Sequence, residues 1–489
     1  MSDKPKKEPD NMRPHRITTI GLMSLLAVIL ATPAAAAPRH ADERPIDFGK
    51  QWVRKHPYTL MGLAIRDQPP LDARRYIDAH FSTLLVWKTR DAILGPGSKA
   101  GLTWHAHLYA KDGPTEKFQK RVAKLTQQYP GNIALMINDE PLLAKMPVTG
   151  QALAWLRRAY PDTLSYCNAL PMGDHNAAYS SSLRTDYSYE KYVDDYIDII
   201  RPDVMMFDIY PYQDRDGVAN VYFLNMQVVR EASLKAGIPY WVFVQSWQGP
   251  NRRLPSESDL RMQLFSTLTF GYTGIAYFGF DTTHERAVLD VNGVPTRLYE
   301  PTVRANQEVM NIAGPLRYLT STEVRFIKRT HGSAVPQGLL AWDNFTTRDP
   351  HLKEIEIKAD SHLPPNTGLS TAPDPQVSGR MTIVPGVSPD FYVDAPYADG
   401  LIGNFVDDSG QRYFLVCNLW HSKDATAAER QLAFTLKFDP TIKTLQRLSR
   451  LTGKVEKLDV DPQEGLQIIL PGGTGDLFKY DTGPFVGLE

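Results

Sequence analysis

The chain has little cysteine and no excess of charge of either sign. Only Cys167 and Cys417 occur among its 489 residues, and each lies within an apolar run. We therefore expect two buried free thiols in separate domains and no disulfide. The 54 lysines and arginines are balanced by 55 aspartates and glutamates. This balance argues against nucleic acid or an anionic membrane as a partner.

Several chemical motifs are also missing. The sequence contains no phosphate-binding loop, no dinucleotide fingerprint and no GxSxG elbow in a credible strand-turn-helix setting. We see no internal repeat. The sequence therefore predicts a protein that needs no cofactor.

Long apolar runs are scarce as well. The apolar segment Ile17–Ala31 follows a lysine- and arginine-rich stretch and precedes Pro33–Ala37. It is too short to span a bilayer comfortably, and small residues follow it, which is typical of a secretory signal peptide. We predict a signal peptide over 1–37, an N-terminal segment over 38–57 and a periplasmic or secreted protein without a stable membrane anchor. A retained anchor is the alternative.

The length predicts two domains. From Tyr58 to Leu319, apolar runs alternate with helical patterns, and many of the helices end at Pro or Gly. Eight such units over 58–319 predict a (β/α)8 TIM barrel. The predicted strands are Tyr58–Asp67, Thr83–Lys88, Leu102–Tyr109, Ile133–Glu140, Thr163–Pro171, Val204–Tyr210, Tyr240–Gln248 and Gly274–Asp281. The predicted helices include Thr115–Tyr129, Val148–Tyr160, Tyr189–Ile200, Val218–Lys235, Ser256–Phe270 and Pro301–Leu319.

Beyond Leu319 the helical pattern fades. Short alternating runs separated by turn residues predict a C-terminal antiparallel β-sandwich over 320–489. The proline-rich stretch Asp360–Gly379 is interpreted as a long loop. The runs are Gly338–Trp342, Arg380–Val384, Gly400–Phe405, Tyr413–Leu419, Gln431–Leu436 and Leu466–Leu470.

The most informative motif is Asn138-Asp139-Glu140-Pro141, which directly follows the apolar run Ile133–Ile137. In a barrel this position is the C-terminal end of strand 4, where such enzymes place their chemistry. A carboxyl group kept protonated in a cleft is what cleavage of a glycosidic bond needs as general acid. The ordinary alternative is a loop start with solvated acids.

The other predicted strand ends supply acids for catalysis, amides for hydroxyl groups and aromatic rings for stacking. Such a mouth suits an oligosaccharide or polysaccharide. Asp208 is the candidate second catalytic carboxylate, and Asp139 is a candidate third. The candidate substrate-binding residues are Arg66, His105, His107, Asn138, Asn168, Tyr210, Gln245, Trp247 and Asp281.

The region Tyr58–Leu319 resembles the large clan of (β/α)8-barrel glycoside hydrolases with the acid/base Glu at the end of strand 4. Three of its segments are similar to poorly characterised bacterial members of this clan. They are the D-E-P motif, Pro202–Tyr212 and Ile238–Gln245. The resemblance implies a glycosidase that uses Glu140 as its acid.

One position departs from the clan, since Gln245 stands where the nucleophilic Glu of strand 7 is expected. Three hypotheses follow. Asp208 is the second carboxylate, which favours inversion. Asp139 and Glu140 act on an N-acetyl sugar with substrate assistance, as in the N-acetylhexosaminidases. Or the protein binds carbohydrate without cleaving it.

His105 and His107 share one face of a strand, which is also the spacing of metal ligands. A metal-dependent hydrolase is therefore a further alternative. Strands 5 and 6 offer no histidine, so we predict no metal site and expect a sugar contact from one of the pair.

Overall fold

Eight parallel strands close into a barrel between Thr59 and Phe278. The structure is a computed structural model. It describes residues 44–45, 47–87, 89–172, 187–213, 218–219, 221–249, 252–282, 286–328, 335–336, 338–359, 392–393, 399–480 and 483–488. The barrel strands are β1 (Thr59–Ala64), β2 (Thr83–Trp87), β3 (Trp104–Leu108), β4 (Asn132–Asp139), β5 (Leu164–Ala169), β6 (Met205–Asp208), β7 (Tyr240–Gln245) and β8 (Gly274–Phe278).

Each strand is hydrogen-bonded to the next, and β8 pairs with β1. One helix precedes the barrel and eight lie in its connections or follow it within the described residues. The predicted TIM barrel is confirmed. The helices are α1 (Phe48–Lys55), α2 (Ala73–Asp78), α3 (Asp91–Lys99), α4 (Glu116–Gln128), α5 (Met146–Ala159), α6 (Tyr189–Ile200), α7 (Tyr222–Ala236), α8 (Glu257–Thr269) and α9 (Tyr299–Leu316).

The helix ends follow local sequence signals. Ser188 accepts a hydrogen bond from the backbone of Lys191 at the start of α6, and Ser256 forms a capping box with Asp259 at the start of α8. α7 ends at Gly237 with φ of 71°, where glycine adopts the left-handed conformation without a Cβ penalty. Because these capping signals are local, these helix ends could be predicted from the sequence.

The lower barrel interior is apolar and aromatic. Trp52 and Val53 of α1 pack under the strands with Tyr166 and Trp241. The ring centroids of Tyr166 and Trp241 lie 5.3 Å apart. This filled layer lies at the end of the barrel opposite to the C-terminal ends of the strands, where barrel enzymes place their active sites.

The C-terminal region forms two packed, mainly antiparallel sheets, so the predicted β-sandwich is confirmed. The strands are β9 (Thr320–Ile327), β10 (Leu340–Ala341), β11 (Leu352–Ala359), β12 (Gly400–Val406), β13 (Arg412–Asn418), β14 (Leu432–Phe438), β15 (Thr444–Leu448), β16 (Val455–Asp459), β17 (Leu466–Leu470) and β18 (Gly475–Lys479). The larger sheet has the order β10-β9-β12-β13-β18-β15-β16, and the smaller has the order β11-β14-β17. Only the short pair β9–β10 is parallel among the described strands of these sheets. Their facing side chains form one apolar core.

Helix α8 joins the barrel to the sandwich. Every residue from Ser258 to Thr269 is buried, since one side of the helix packs on β7 and the other on the larger sheet. Three residues separate α9 from β9. Barrel and sandwich residues also share one hydrophobic cluster, so the two domains pack directly on each other.

Some local expectations need amendment. Val218–Ala219 was expected to begin a helix, but it pairs as a two-residue strand with Tyr392–Val393. α3 forms despite its Gly and Pro residues. Cys167 and Cys417 are buried free thiols as predicted. The signal peptide, the loop Asp360–Gly379 and the strand Arg380–Val384 lie outside the described residues. No helix in the described ranges has both the length and the apolar character for crossing a membrane.

Candidate active site

A bulge in β4 decides which side chains of the D-E-P motif point inward. Met136 pairs with Tyr166 and Asp139 pairs with Asn168. Between these two pairs, β4 contains one residue more than β5. Asn138 and Glu140 have φ of 61° and 46°, which is uncommon for residues other than glycine. Bulges and strained backbone are frequent beside active sites. Here the bulge brings Asp139 to the inner face that Asn138 would otherwise occupy.

The amide of Asn168 connects two of the three predicted carboxylates. Its Nδ2 lies 3.1 Å from Asp139 Oδ1 and 3.0 Å from Asp208 Oδ1, and it donates a hydrogen bond to each. Asn168 is only 3% exposed. Adjacent strands β4, β5 and β6 thus present acid, amide and acid at the barrel mouth.

Glu140 completes this cluster. Its side chain is hydrogen-bonded to that of Asp208. Burial, followed by the charges of Asp208 and Asp139, raises the pKa of Glu140 to about 8. Near neutral pH the Glu140 carboxyl is therefore mainly protonated and donates to Asp208. This is the state that a general acid requires.

Asp208 is the most enclosed member of the cluster. It is 6% exposed and accepts hydrogen bonds from Asn168, Tyr210 and Glu140. Burial raises its pKa, while these three donors act in the opposite direction. Asp208 is therefore held by three protein donors.

Asp139 is more open. Its side chain is partly exposed, and Asn168 donates to it. Burial, and then the charge of Asp208, raises the pKa of Asp139 to about 6. Around neutral pH the cluster thus offers one accessible carboxylate beside one protonated acid.

Aromatic rings surround the carboxyl groups on two sides. On one side, Tyr210 lies 5.1 Å from Phe278 and 6.2 Å from Trp247, measured between ring centroids. On the other, Tyr109 contacts His107 edge-on at 4.4 Å. The Tyr109 pKa is raised by burial and by the charges of Asp139 and Glu140, so its ring adjoins the acids. Flat apolar faces next to buried acids suit a sugar ring.

Not every predicted contact reaches this cluster. Asn138 accepts from the backbone of Ala110 and donates to Thr149 of α5, both at 2.8 Å. The bulge turns its amide away from the barrel axis. Asn138 therefore has a structural role here, contrary to the expectation of a sugar contact.

Gln245 differs from expectation in the same way. It is fully buried. Its Oε1 accepts from Tyr212 N at 2.8 Å, and its Nε2 donates to the carbonyl oxygens of Tyr212 and Arg253 at 2.9 and 3.0 Å. The amide holds the segments after β6 and β7 together, so no polar group of its side chain remains for a ligand.

The two histidines lie inside the barrel below the acids. Both are fully buried. His105 is 3.0 Å from the Tyr166 hydroxyl, and His107 stacks on Trp87 at 3.9 Å. The sugar contact expected from one of the two stays a prediction. In the described part of the chain, no group of three or more His, Cys, Asp or Glu side chains is arranged to hold a metal ion.

Arg66 and Asp281 fasten the ends of β1 and β8. Asp281 Oδ1 accepts from the backbone of Ile65 at 2.7 Å and of Arg66 at 3.2 Å. The Arg66 guanidinium donates to the carbonyl of Asp290. Both side chains are buried, so the structure gives them structural contacts instead of the expected contact with a sugar.

Three aromatic residues at the mouth were missed by the sequence analysis. They come at or just after strand ends, as the predicted site residues do, but aromatic residues in apolar runs usually fill cores. Only their position in the closed barrel separates them from core residues. They are Trp87, Tyr109 and Phe278.

Comparisons with known proteins give only distant structural likenesses. No family model and no curated protein matches the chain. The β-L-arabinopyranosidase of Geobacillus stearothermophilus is 8% identical, with a TM-score of 0.41, and the match covers 90% of this chain and 99% of that one. An endo-β-1,3-glucanase of Amycolatopsis mediterranei, solved with laminaripentaose, is 16% identical, with a TM-score of 0.35 over 50% of this chain and 99% of that one.

The carboxyl transferase domain of Rhizobium etli pyruvate carboxylase is also similar. It is 12% identical, with a TM-score of 0.31 over 47% of this chain and 41% of that one. Because the same barrel carries unrelated chemistries, likenesses of this size carry no argument about activity.

Proposed function

We propose that the protein is a glycoside hydrolase in which Glu140 is the general acid. The observation that carries the proposal is the hydrogen-bonded group of Asp139, Glu140, Asp208 and Asn168 at the C-terminal mouth of a barrel. One carboxyl of this group is protonated near neutral pH, as protonation of a glycosidic oxygen requires.

Asp208 and Tyr210 set the state of the acid. The negative charge of Asp208 and its hydrogen bond favour the protonated form of Glu140. Tyr210 donates to Asp208 and helps to keep it ionised. In this proposal Asp208 positions Glu140 and makes it a better proton donor at neutral pH.

The contacts favour Asp139 over Asp208 as the carboxylate that faces the sugar. A water between two catalytic carboxyls needs a separation of roughly 6.5–9.5 Å, whereas Glu140 and Asp208 are in hydrogen-bond contact. Asp139 is the more exposed. An adjacent Asp-Glu pair of this kind supports the substrate-assisted mechanism, in which Asp139 orients an acetamido group and Glu140 protonates the leaving oxygen.

A product assay over a panel of glycans, with anomers followed by NMR, tests the proposal. Glu140→Gln should reduce kcat by about 10²–10⁴-fold with the fold intact. A retained first product from an N-acetylhexosaminide, with Asp139→Asn the more damaging change, supports substrate assistance. An inverted product, with Asp208→Asn the more damaging, supports Asp208 as the second carboxylate.

Carbohydrate binding without catalysis is the other outcome of this assay. Wild-type protein that binds glycans and releases no product from any of them would contradict the hydrolase proposal. A Glu140→Gln variant with wild-type turnover would contradict the role given to Glu140.

A further inference from the structure

A cavity of about 420 Å³ opens beside the barrel mouth and is rich in cationic side chains. Its wall comes from the segments that follow β7 and β8, from the start of α9 and from a loop of the sandwich. Four lysine or arginine side chains line it, against one carboxylate. The lining residues are Gln248, Arg253, Leu254, Arg286, Arg297, Lys423 and Asp424.

Ion pairs hold two of the arginines in place. Arg253 pairs with the buried Asp259, which also contacts His421 of the sandwich at 2.8 Å. Arg297 pairs with Asp424 and donates to the carbonyl of Leu254 at 3.1 Å. The cavity wall is therefore built before a ligand arrives, which lowers the entropy cost of binding.

Arg286 is different. Its backbone is fixed, because its carbonyl accepts from Gln248 N at 2.7 Å. Its side chain is exposed, and no described residue pairs with its guanidinium or with the side-chain amide of Gln248. A guanidinium that lines a cavity can bind a carboxylate or a sulfate through two parallel hydrogen bonds.

Side-chain contacts connect this cavity to the carboxyl groups of Glu140 and Asp208. Tyr210 is hydrogen-bonded to Asp208, and its ring contacts Trp247. Gln248, the next residue, lines the cavity. A glycan that has one sugar at Glu140 and lies across Trp247 therefore extends toward Arg286.

We propose that this cavity is a subsite for an acidic sugar residue, with Arg286 binding its carboxylate or sulfate. The inference rests on the proposed function and names its substrate class as anionic glycans. The guanidinium of Arg286, which unlike those of Arg253 and Arg297 has no ion-pair partner among the described residues, provides the attraction. The rings at the mouth provide stacking for the uncharged part of the ligand.

The test measures binding without turnover. Full-length Glu140→Gln protein is applied to a glycan array that contains neutral, uronate-bearing and sulfated versions of the same backbones. The tightest acidic glycan and its neutral counterpart are then titrated by calorimetry at low and high salt. The titrations are repeated with three double variants. In these, Glu140→Gln is combined with Arg286→Ala, with Arg286→Lys or, as the control, with Lys120→Ala on the exposed side of α4.

We expect the acidic glycans to bind more tightly than their neutral counterparts, with an advantage that falls at high salt. Arg286→Ala should weaken the acidic glycan by about 10-fold or more, since a hydrogen bond to a charged group is worth roughly 1.5–3 kcal/mol. Arg286→Lys should recover part of the affinity, and Lys120→Ala should leave it unchanged.

Three results would overturn the inference. They are equal binding of acidic and neutral glycans, an unchanged affinity in Arg286→Ala, and binding of inorganic sulfate alone without any acidic glycan, which would mark an adventitious ion only. Hydrolysis by wild-type protein is scored separately. Arg286-dependent binding without any hydrolysis removes the proposed function and keeps the subsite, whereas hydrolysis of neutral glycans without dependence on Arg286 does the reverse.

Discussion

The carboxyl groups of Glu140 and Asp208 are hydrogen-bonded to each other although they lie at the ends of β4 and β6, which are not neighbouring strands. Asn168 of the intervening strand β5 donates to Asp208. Two carboxyl groups in contact cannot both ionise easily. This pairing makes one of them a proton donor near neutral pH.

The pH profile of kcat/KM should be bell-shaped. Activity needs Asp139 ionised and Glu140 protonated, so the limbs should lie near pH 6 and pH 8. In Asp208→Asn, the charge and hydrogen bond that raise the pKa of Glu140 are lost. The alkaline limb should therefore move to lower pH and kcat should fall by about 10²-fold. Initial rates over this pH range measure both limbs. An alkaline limb that stays in place in Asp208→Asn would show that Asp208 does not raise the pKa of Glu140.

Glu140→Gln should stabilise the fold in a pH-dependent way. Because the folded-state pKa is raised from 4.5 to about 8, the wild-type protein loses stability as pH rises through that interval, in which the unfolded chain binds fewer protons than the folded one. The variant should exceed the wild type by on the order of 4 kcal/mol at the upper end, since each pKa unit corresponds to about 1.4 kcal/mol, and match it at the lower end. Urea unfolding measures the difference. The exposed Glu116→Gln change on α4 is the control and should show no such trend.

Asn168→Ala should move the acid limb to higher pH. The shared amide lowers the pKa of Asp139 and of Asp208, so its removal raises both. We expect kcat to fall by about 10-fold or more at neutral pH, since part of the Asp139 is then protonated. Asn132→Ala, at the opposite end of the barrel, should lower the stability of the fold and leave the acid limb of the pH profile in place. An equal shift in both variants would contradict the role of the amide.

Gln245→Glu should not create an active nucleophile. The new carboxylate would face two carbonyl oxygens and lose both hydrogen bonds that the amide donates. We expect a loss of about 3 kcal/mol that grows with pH, because burial raises the pKa of the new carboxyl. The measurements are the unfolding curve of Gln245→Glu and the activity of the double variant that combines Gln245→Glu with Asp139→Asn. Restored turnover in that double variant would show that the position faces the substrate. Gln128→Glu, at the exposed end of α4, is the control.

Tyr109→Ala should raise KM by about 3- to 10-fold with a smaller effect on kcat, since an aromatic contact contributes roughly 0.5–1.5 kcal/mol. Tyr109 is 36% exposed beside the acids, where its ring is available for stacking. Tyr109→Phe keeps the ring and should keep the wild-type KM. A rise in KM of the same size in the phenylalanine variant would assign the effect to the hydroxyl group instead.

Local signals made much of the fold predictable. Buried parallel strands are continuous apolar runs, and the helices between them begin at residues such as Ser188 and end at Gly237. The run Val218–Ala219 was misassigned because its strand partner lies far away in the chain, at Tyr392–Val393. Strands β9 and β11 were not predicted, since charged residues interrupt their apolar pattern.

The sequence by itself determined the order of the eight strand-helix units and the presence of acids at the ends of strands 4 and 6, because both depend on neighbours in the chain. Only the tertiary structure decided what those acids do. The bulge that turns Asp139 inward is defined by pairing with β5, and the raised pKa of Glu140 needs burial and Asp208 on a distant strand. Gln245 became a structural amide for the same reason, since its partners Tyr212 and Arg253 lie on two loops that the closed barrel brings together.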